Sequence, residues 1–329
     1  MIEYAKPWLS VDEQVAKLQS RGVEVGERAH AADLLRMVGY YRLTGYLYPF
    51  RNSESYEDDE GRSQIRILNE YRPGTSLGHA AEVIDFDRKL RMLVLDGVER
   101  IEISMRMQIG YILGRVSPFA HRQTSTFISS FTDQYPDPQS NVMTSKHAEW
   151  LKRVDARRAD SDEAFVAHFR TKYDDQIPIW ALTEILEMGQ LGRLYTGLIN
   201  ALATEIAQAY GAPTKKLMTS WISSLNYVRN VAAHHARLFN RKLVAAPGRP
   251  KEGTVPLLDH LRDETTPKAV FGLYNALAVM AYLLRSIDRH SGWPQRVVEV
   301  VQGFPEEPGF TVSTLGIPTG WTELELWHG

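Results

Sequence analysis

Between Ala80 and Leu113 no proline interrupts the chain, and one face recurs every three or four residues. It comprises Val83, Phe86, Leu90, Leu93, Gly97, Ile101, Met105, Gln108 and Ile112. That spacing is the signature of an amphipathic helix. Asp87, Arg88, Lys89, Arg91, Glu99, Arg100, Glu102 and Arg106 lie between those positions. Their alternating signs suit intrahelical pairing, which reads as a charged outer face in solvent. A helix this long commits the chain to helical packing.

The rest of the sequence agrees. Shorter helical segments are predicted at Val11–Arg21, His30–Val38, Thr144–Arg157, Asp162–Lys172, Trp180–Glu187, Leu191–Tyr210, Thr214–Leu243 and Pro267–Arg289, with Asp12 and Asp162 near two of the starts. Few runs alternate with period two, so no extensive sheet is expected. Arg51–Arg62 is polar and acidic, and Ala245–Thr254 carries Pro247, Gly248, Pro250 and Gly253; both read as loops. From Gly303 onward the tail is rich in Pro and Gly, yet it holds Phe310, Leu315, Ile317, Trp321, Leu324, Leu326 and Trp327, enough anchors to pack on the body. The expected organisation is an N-terminal helical region (1–75), a helical core (76–245), and a C-terminal helix with a packed tail (246–329).

Composition narrows the function. The chain has no cysteine, which excludes disulfides, thiolate zinc sites and cysteine nucleophiles and suits a reducing, cytoplasmic setting. Met1–Lys6 lacks a basic start followed by an apolar run, and no apolar stretch is long enough to span a bilayer. A net charge of −2 argues against a surface that binds nucleic acid everywhere, but not against a local basic site. His147, His168 and His260 have no ligand partners nearby in sequence, and no phosphate loop or nucleophile elbow is visible. Neither a metal nor another cofactor is therefore expected.

One segment is unusual: Trp221-Ile-Ser-Ser-Leu-Asn-Tyr-Val-Arg-Asn-Val-Ala-Ala-His-His-Ala-Arg-Leu-Phe-Asn-Arg241. On an unbroken helix, at about 100° per residue, Ser223, Asn226, Asn230, His234, Arg237 and Arg241 share one narrow polar stripe. Trp221, Leu225, Val228, Ala232 and Phe239 cluster opposite. His235 leans toward that apolar side, and Arg229 sits on the flank. A histidine moves protons near neutral pH, an arginine stabilises charge growing on a phosphate, and an asparagine orients either one. The set suits phosphodiester cleavage of RNA without a metal, the 2′-OH serving as nucleophile. Arg-x4-His alone is weak evidence: Arg72/His79, Arg115/His121 and Arg285/His290 have similar spacings.

Arg229-Asn230-Val-Ala-Ala-His234-His235-Ala-Arg237-Leu-Phe-Asn240-Arg241 resembles the signature of the Abi-D/Abi-F-like abortive-infection proteins of bacteria. Three further blocks match that family in the same order. They are Tyr40-Tyr41-Arg42-Leu-Thr-Gly45-Tyr46-Leu-Tyr-Pro49-Phe50; Phe86-Asp87-Arg88-Lys89-Leu90-Arg91 with Glu99-Arg100-Ile101-Glu102; and Ile177-Pro178-Ile179-Trp180-Ala181 with Glu184 and Gly189. The resemblance spans roughly residues 5–245. It implies an all-α, HEPN-like helical bundle with additional N- and C-terminal helical elements, and a ribonuclease acting in phage defence as a toxin-like effector. It carries Arg229, Asn230 and His234 over as active-site positions, with His235 between catalysis and packing. One motif per chain then implies a homodimer, with RNA as substrate and a small structured noncoding RNA as a further partner; no DNA or membrane partner is expected.

Arg237, Asn240 and Arg241 are expected to bind RNA backbone. The aromatic block containing Tyr41 and Arg42 reads either as a base-stacking patch or as a packed cluster. Trp180 and Glu184 read as core and helix-end residues. Two other functions stay open: a non-catalytic protein that assembles a structured RNA, and a helical interaction module with no RNA.

Overall fold

The computed structural model describes residues 5–262, 272–307 and 310–328, and the fold is predominantly helical. It divides into two compact units. The first holds residues 1–89 with 303–307, and the second holds residues 90–302 with 308–329.

In the first unit, α1 (Val11–Ser20) and α2 (Arg28–Val38) pack together, α3 (Tyr40–Leu47) follows, and α4 (Leu77–Val116) begins. Ser10, rather than Asp12, caps α1, through a reciprocal pair with Glu13. Val15, Leu18, Leu35, Leu43, Tyr46, Leu47, Val83 and Phe86 form the interior. The charged outer face expected of α4 is not wholly solvated: Asp87, Arg91 and Glu102 are buried. Asp87 accepts the Tyr46 hydroxyl hydrogen bond at 2.6 Å, so in this place a carboxylate is part of the core.

Arg51–Arg62 is not a loop. β1 (Arg51–Glu57) and β2 (Ser63–Tyr71) form an antiparallel hairpin, with Ser55 opposite Ile65 and Tyr56 opposite Gln64. Asp58 organises its turn by accepting the backbone N–H groups of Glu60 and Arg62, and Gly61 supplies a positive φ of 72°. The strands are exposed on both faces over most of their length. Ile65 and Ile67 alternate with Gln64 and Arg66, but β1 sets only Ser55 and Ser53 opposite them, so no apolar face forms across the pair.

The second unit contains the rest of α4 and nine further helices among the described residues. These are α5 (Ser129–Thr132), α6 (Lys146–Ala159), α7 (Ala164–Lys172), α8 (Ile179–Leu182), α9 (Met188–Gly197), α10 (Asn200–Ala209), α11 (Lys215–Ala233), α12 (Leu273–Ile287) and α13 (Trp293–Gln302). A minor two-stranded ladder, β3 (Tyr135–Pro136) with β4 (Met143–Thr144), precedes α6. Helix α12 is buried all round from Leu273 to Ala281, as expected of a central helix; residues 267–271 of the helix expected at Pro267–Arg289 lie outside the described residues.

The expected helix Leu191–Tyr210 is two helices. Phe127 bridges Leu198 in extended pairing, with Ile128 N–H donating to the Gly197 carbonyl and Ile199 N–H to that of Thr126. A strand-like neighbour has taken the backbone groups that a continuous helix would use. Trp180–Glu187 is likewise only the single turn of α8 and a 3₁₀ turn over Thr183–Ile185. Trp180 is not a core residue but is half exposed, lying over Gly110 and Gly114 of α4, where a Cβ would stand 2.9 and 2.8 Å away.

The tail packs as expected. Phe310, Leu315, Ile317, Trp321, Leu326 and Trp327 are buried. Arg285 fastens its end by donating to the carbonyls of Glu325, Leu326 and His328 at 2.6, 3.3 and 3.0 Å. No described helix is long and apolar enough to cross a membrane.

Candidate functional site

Helix α11 starts at Thr214, whose hydroxyl accepts the Leu217 N–H at 3.1 Å. Its apolar face is the one the sequence projects: Trp221, Leu225, Val228 and Ala232 are buried against a surround formed by α9, α10 and α12. On the other side Ser223 is exposed, and Asn226 and Asn230 are half-buried.

The helix does not continue to Leu243. It ends at Ala233, and His234 is the capping residue. His235 N–H donates to the Ala232 carbonyl and Ala236 N–H to that of Val231, both at 3.0 Å, while His235 takes a φ of 55°. This nested pair of bonds is the Schellman arrangement, with histidine where glycine is usual. Packing stops the helix: Leu238 and Phe239 are fully buried, and Phe239 meets Phe310 of the tail at 5.2 Å. An unbroken helix would keep Phe239 on its apolar face but set Leu238 on the flank, whereas the turn buries both.

The early stop changes the fate of the two histidines. His235 does not lean into the core; both His234 and His235 are exposed. Asn230 and His234 stay adjacent, because His234 N–H donates to the Asn230 carbonyl at 3.0 Å. Arg229 joins them through its Nη1, which donates to Asn230 Oδ1 at 3.1 Å. The motif's arginine, asparagine and histidine are thus linked in series over the last turn of one helix.

Arg237, Asn240 and Arg241 lie beyond the helix instead of on its stripe. Arg241 Nε donates to the Arg237 carbonyl at 2.6 Å, and the Arg237 guanidinium lies 6.0 Å from the centre of the Phe239 ring. Asn240 has a φ of 50°, a second left-handed residue in the same turn. Tyr41 and Arg42 are exposed on α3 in the first unit, whereas Tyr46 and Phe50 of the same aromatic block are buried. The block is therefore half core and half surface.

Residues expected on a solvated face of α4 also belong here. Arg229 lines a pocket of about 310 Å³ with Leu95, Val98, Glu99, Glu102, Ile103 and Arg106 of α4. Arg106 donates to Glu102 Oε1 at 2.5 Å and to the Glu184 carbonyl at 2.9 Å. The Glu102/Arg106 spacing is visible in the sequence, but it is also the spacing of any surface ion pair. Only the fold brings it to Arg229.

Other histidines are held differently. His79 Nε2 lies 2.8 Å from the Pro305 carbonyl and His147 Nε2 2.8 Å from that of His121. His121 is buried, and burial, then the nearby Arg122 charge, lowers its pKa to about 4. His260 is lowered by burial and meets the Tyr274 hydroxyl at 3.0 Å.

Among known proteins, no curated sequence and no solved structure matches this chain. The family model described as Abi-like protein matches residues 33–240, from within α2 to the turn beyond His235. That span covers more than half of the chain and contains α3, α4, α11 and the linked Arg229, Asn230 and His234, so the chain belongs to the family of Abi-like proteins.

Proposed function

We propose that this chain is a metal-independent RNA endonuclease of the HEPN type that serves abortive-infection defence against phage. Family membership supports the defence role. The observation that carries the chemistry is the end of α11, where an exposed His234 adjoins an asparagine that holds Arg229.

The reaction balances without a cofactor. A histidine takes the proton of the RNA 2′-OH, and the 2′ oxygen attacks the adjacent phosphorus. The bond to the 5′ oxygen breaks, and a second acid protonates the leaving oxygen. The products are a 2′,3′-cyclic phosphate and a 5′-OH. Arg229 stabilises the charge that grows on the non-bridging oxygens, and Asn230 fixes the position of its guanidinium. Glu102 acts at one remove, by holding Arg106 in the same pocket.

The second acid comes from the His234 of a second copy, which makes the working form a homodimer. An exposed apolar row on α4 supports this: Ile103, Met107 and Tyr111 are 54%, 53% and 69% exposed, and Ile103 itself lines the Arg229 pocket. Arg237, Asn240 and Arg241 contact the RNA backbone, and a small noncoding RNA is a further partner.

A second reading, an RNA-assembling protein without catalysis, is favoured by the exposure of Tyr41 and Arg42, a stacking side chain beside a cation. Incubation of total RNA with wild type and His234→Ala in excess EDTA, with analysis of the new ends, separates the two. The nuclease reading expects His234→Ala to lower cleavage by roughly 10²–10⁴-fold while RNA binding persists. Equal cleavage by the variant overturns the assignment of His234. Binding without cleavage by the wild type moves the second reading to the front.

A further inference from the structure

Two turns before His234, α11 meets the start of α9. Gly189 is exposed, and a Cβ on it would lie 3.4 Å from Asn226 Oδ1, so the Asn226 amide reaches the start of α9. That surface is a groove between α9 and α6, with a pocket of about 260 Å³ that Gly189 itself lines. Trp150 of α6 backs the pocket and ties the two helices by donating from Nε1 to the Gln190 carbonyl at 2.9 Å. Arg153 of α6 and Arg193 of α9, both exposed, stand at its walls.

The pocket also contains two carboxylates, and each has a nearer partner than the two arginines. Glu149 accepts the Tyr135 hydroxyl at 2.6 Å. Its other oxygen is 3.9 Å from Arg193, the edge of ion-pair distance. Glu187 caps α9 through its reciprocal pair with Gln190 and lies 3.7 Å from Arg157. Among the described residues Arg153 makes no ion pair with a carboxylate. Two exposed arginines on a concave surface backed by Trp150 suit phosphate contact.

We infer that this groove is a second contact site for the RNA strand, in which Arg153 and Arg193 bind phosphates of nucleotides adjoining those held at the end of α11. The inference rests on α11 being an RNA site. Asn226 lies eight residues before His234, about 12 Å along the helix axis at 1.5 Å per residue. A strand threading from His234 past Asn230 and Asn226 thus enters the groove over Gly189 within a few nucleotides.

The test uses the full chain in the His234→Ala background and a labelled single-stranded RNA of about 15 nucleotides. Fluorescence anisotropy across a salt series gives the affinity and its salt slope. Each lost phosphate contact on a single strand flattens the slope by about 0.7, so Arg153→Ala with Arg193→Ala is expected to lower it by about 1.4. Affinity at low salt should fall roughly tenfold. Arg153→Lys with Arg193→Lys should restore the slope, and Arg36→Ala, which removes a surface arginine paired with Asp33 in the first unit, should change nothing.

If wild type cuts RNA and His234→Ala does not, yet the double alanine variant keeps the full slope, the groove is overturned and the nuclease stands. If the variant loses its slope while wild type fails to cut, the groove stands and the nuclease reading is overturned. If the His234→Ala chain binds no RNA, both fall.

Discussion

Helix α4 runs for 40 residues and stops at Val116, just before Pro118; α11 runs for 19 and stops at Ala233, with no proline or glycine close by. A histidine lies beyond each end, five residues on for α4 and immediately for α11. After α4 comes His121, which is 1% exposed; after α11 come His234 and His235, both exposed. The first end is dictated locally, since proline cannot continue a helix. The second is imposed from a distance by the burial of Leu238 and Phe239. Beyond α4 the chain passes exposed Pro118 and half-buried Phe119 before it buries Ala120 and His121. A helix ended by packing a few residues further on leaves the intervening histidines at the surface, in a turn where His235 takes a positive φ.

The largest effect that sharpens this contrast is on acid stability. The folded state lowers the His121 pKa from its ordinary 6.5 to about 4, chiefly by burial and then through the Arg122 charge. The unfolded chain therefore takes up the proton first. Stability is complete above pH 6.5 and declines as pH falls toward 4. The total loss is about 3 kcal/mol, at about 1.4 kcal/mol per pH unit. Urea unfolding at several pH values should show this decline in wild type and a smaller one in His121→Gln, where the half-buried His260 remains. An unchanged decline in His121→Gln would mean that the end of α4 does not bury its histidine as described.

A smaller effect tests the smoothness of α4. A Cβ on Gly97 would stand 2.6 Å from Met280 Cε and 2.8 Å from the Trp293 indole, whose Nε1 is pinned by donating to the Leu93 carbonyl at 3.1 Å. The methionine can yield, but the indole cannot. Gly97→Ala gains about 1 kcal/mol of helix propensity and loses more to overpacking, a net destabilisation of about 2 kcal/mol in urea unfolding. A stabilised variant would mean that α12 and α13 pack on α4 less closely than their side chains indicate.

The legibility of the sequence divides along the same line. The inner face of α4, the apolar face of α11 and the anchors of the tail are all legible, because periodicity and burial agree there. The hairpin is illegible, since both its faces are wet. The stop in α11 is illegible too, because Phe239 fits a helical stripe as well as it fits a buried turn. At the site, Arg229 and Asn230 are placed beside each other as their adjacency suggests. Glu102 and Arg106 are not recognisable beforehand, since an ion pair one turn apart has the same spacing on any solvated helix. The break between α9 and α10 depends on pairing with Phe127, about seventy residues away in sequence, and no local signal marks it.

The smallest predicted effect is the most direct attack on the comparison. His235 holds a φ of 55°, a left-handed conformation that costs a residue with a Cβ about 1 kcal/mol and costs glycine little. His235→Gly keeps the two nested bonds to Ala232 and Val231 and removes that strain. Unfolding in urea should show a stabilisation of about 1 kcal/mol, reduced somewhat by the greater freedom of glycine in the unfolded chain. If cleavage persists in the stabilised variant, His235 serves only to end the helix and present His234. If stability rises while cleavage collapses, the strain is retained because the imidazole itself is needed, and the site has two histidines per chain. If stability falls, the turn is not strained, and α11 ends as plainly as α4 does.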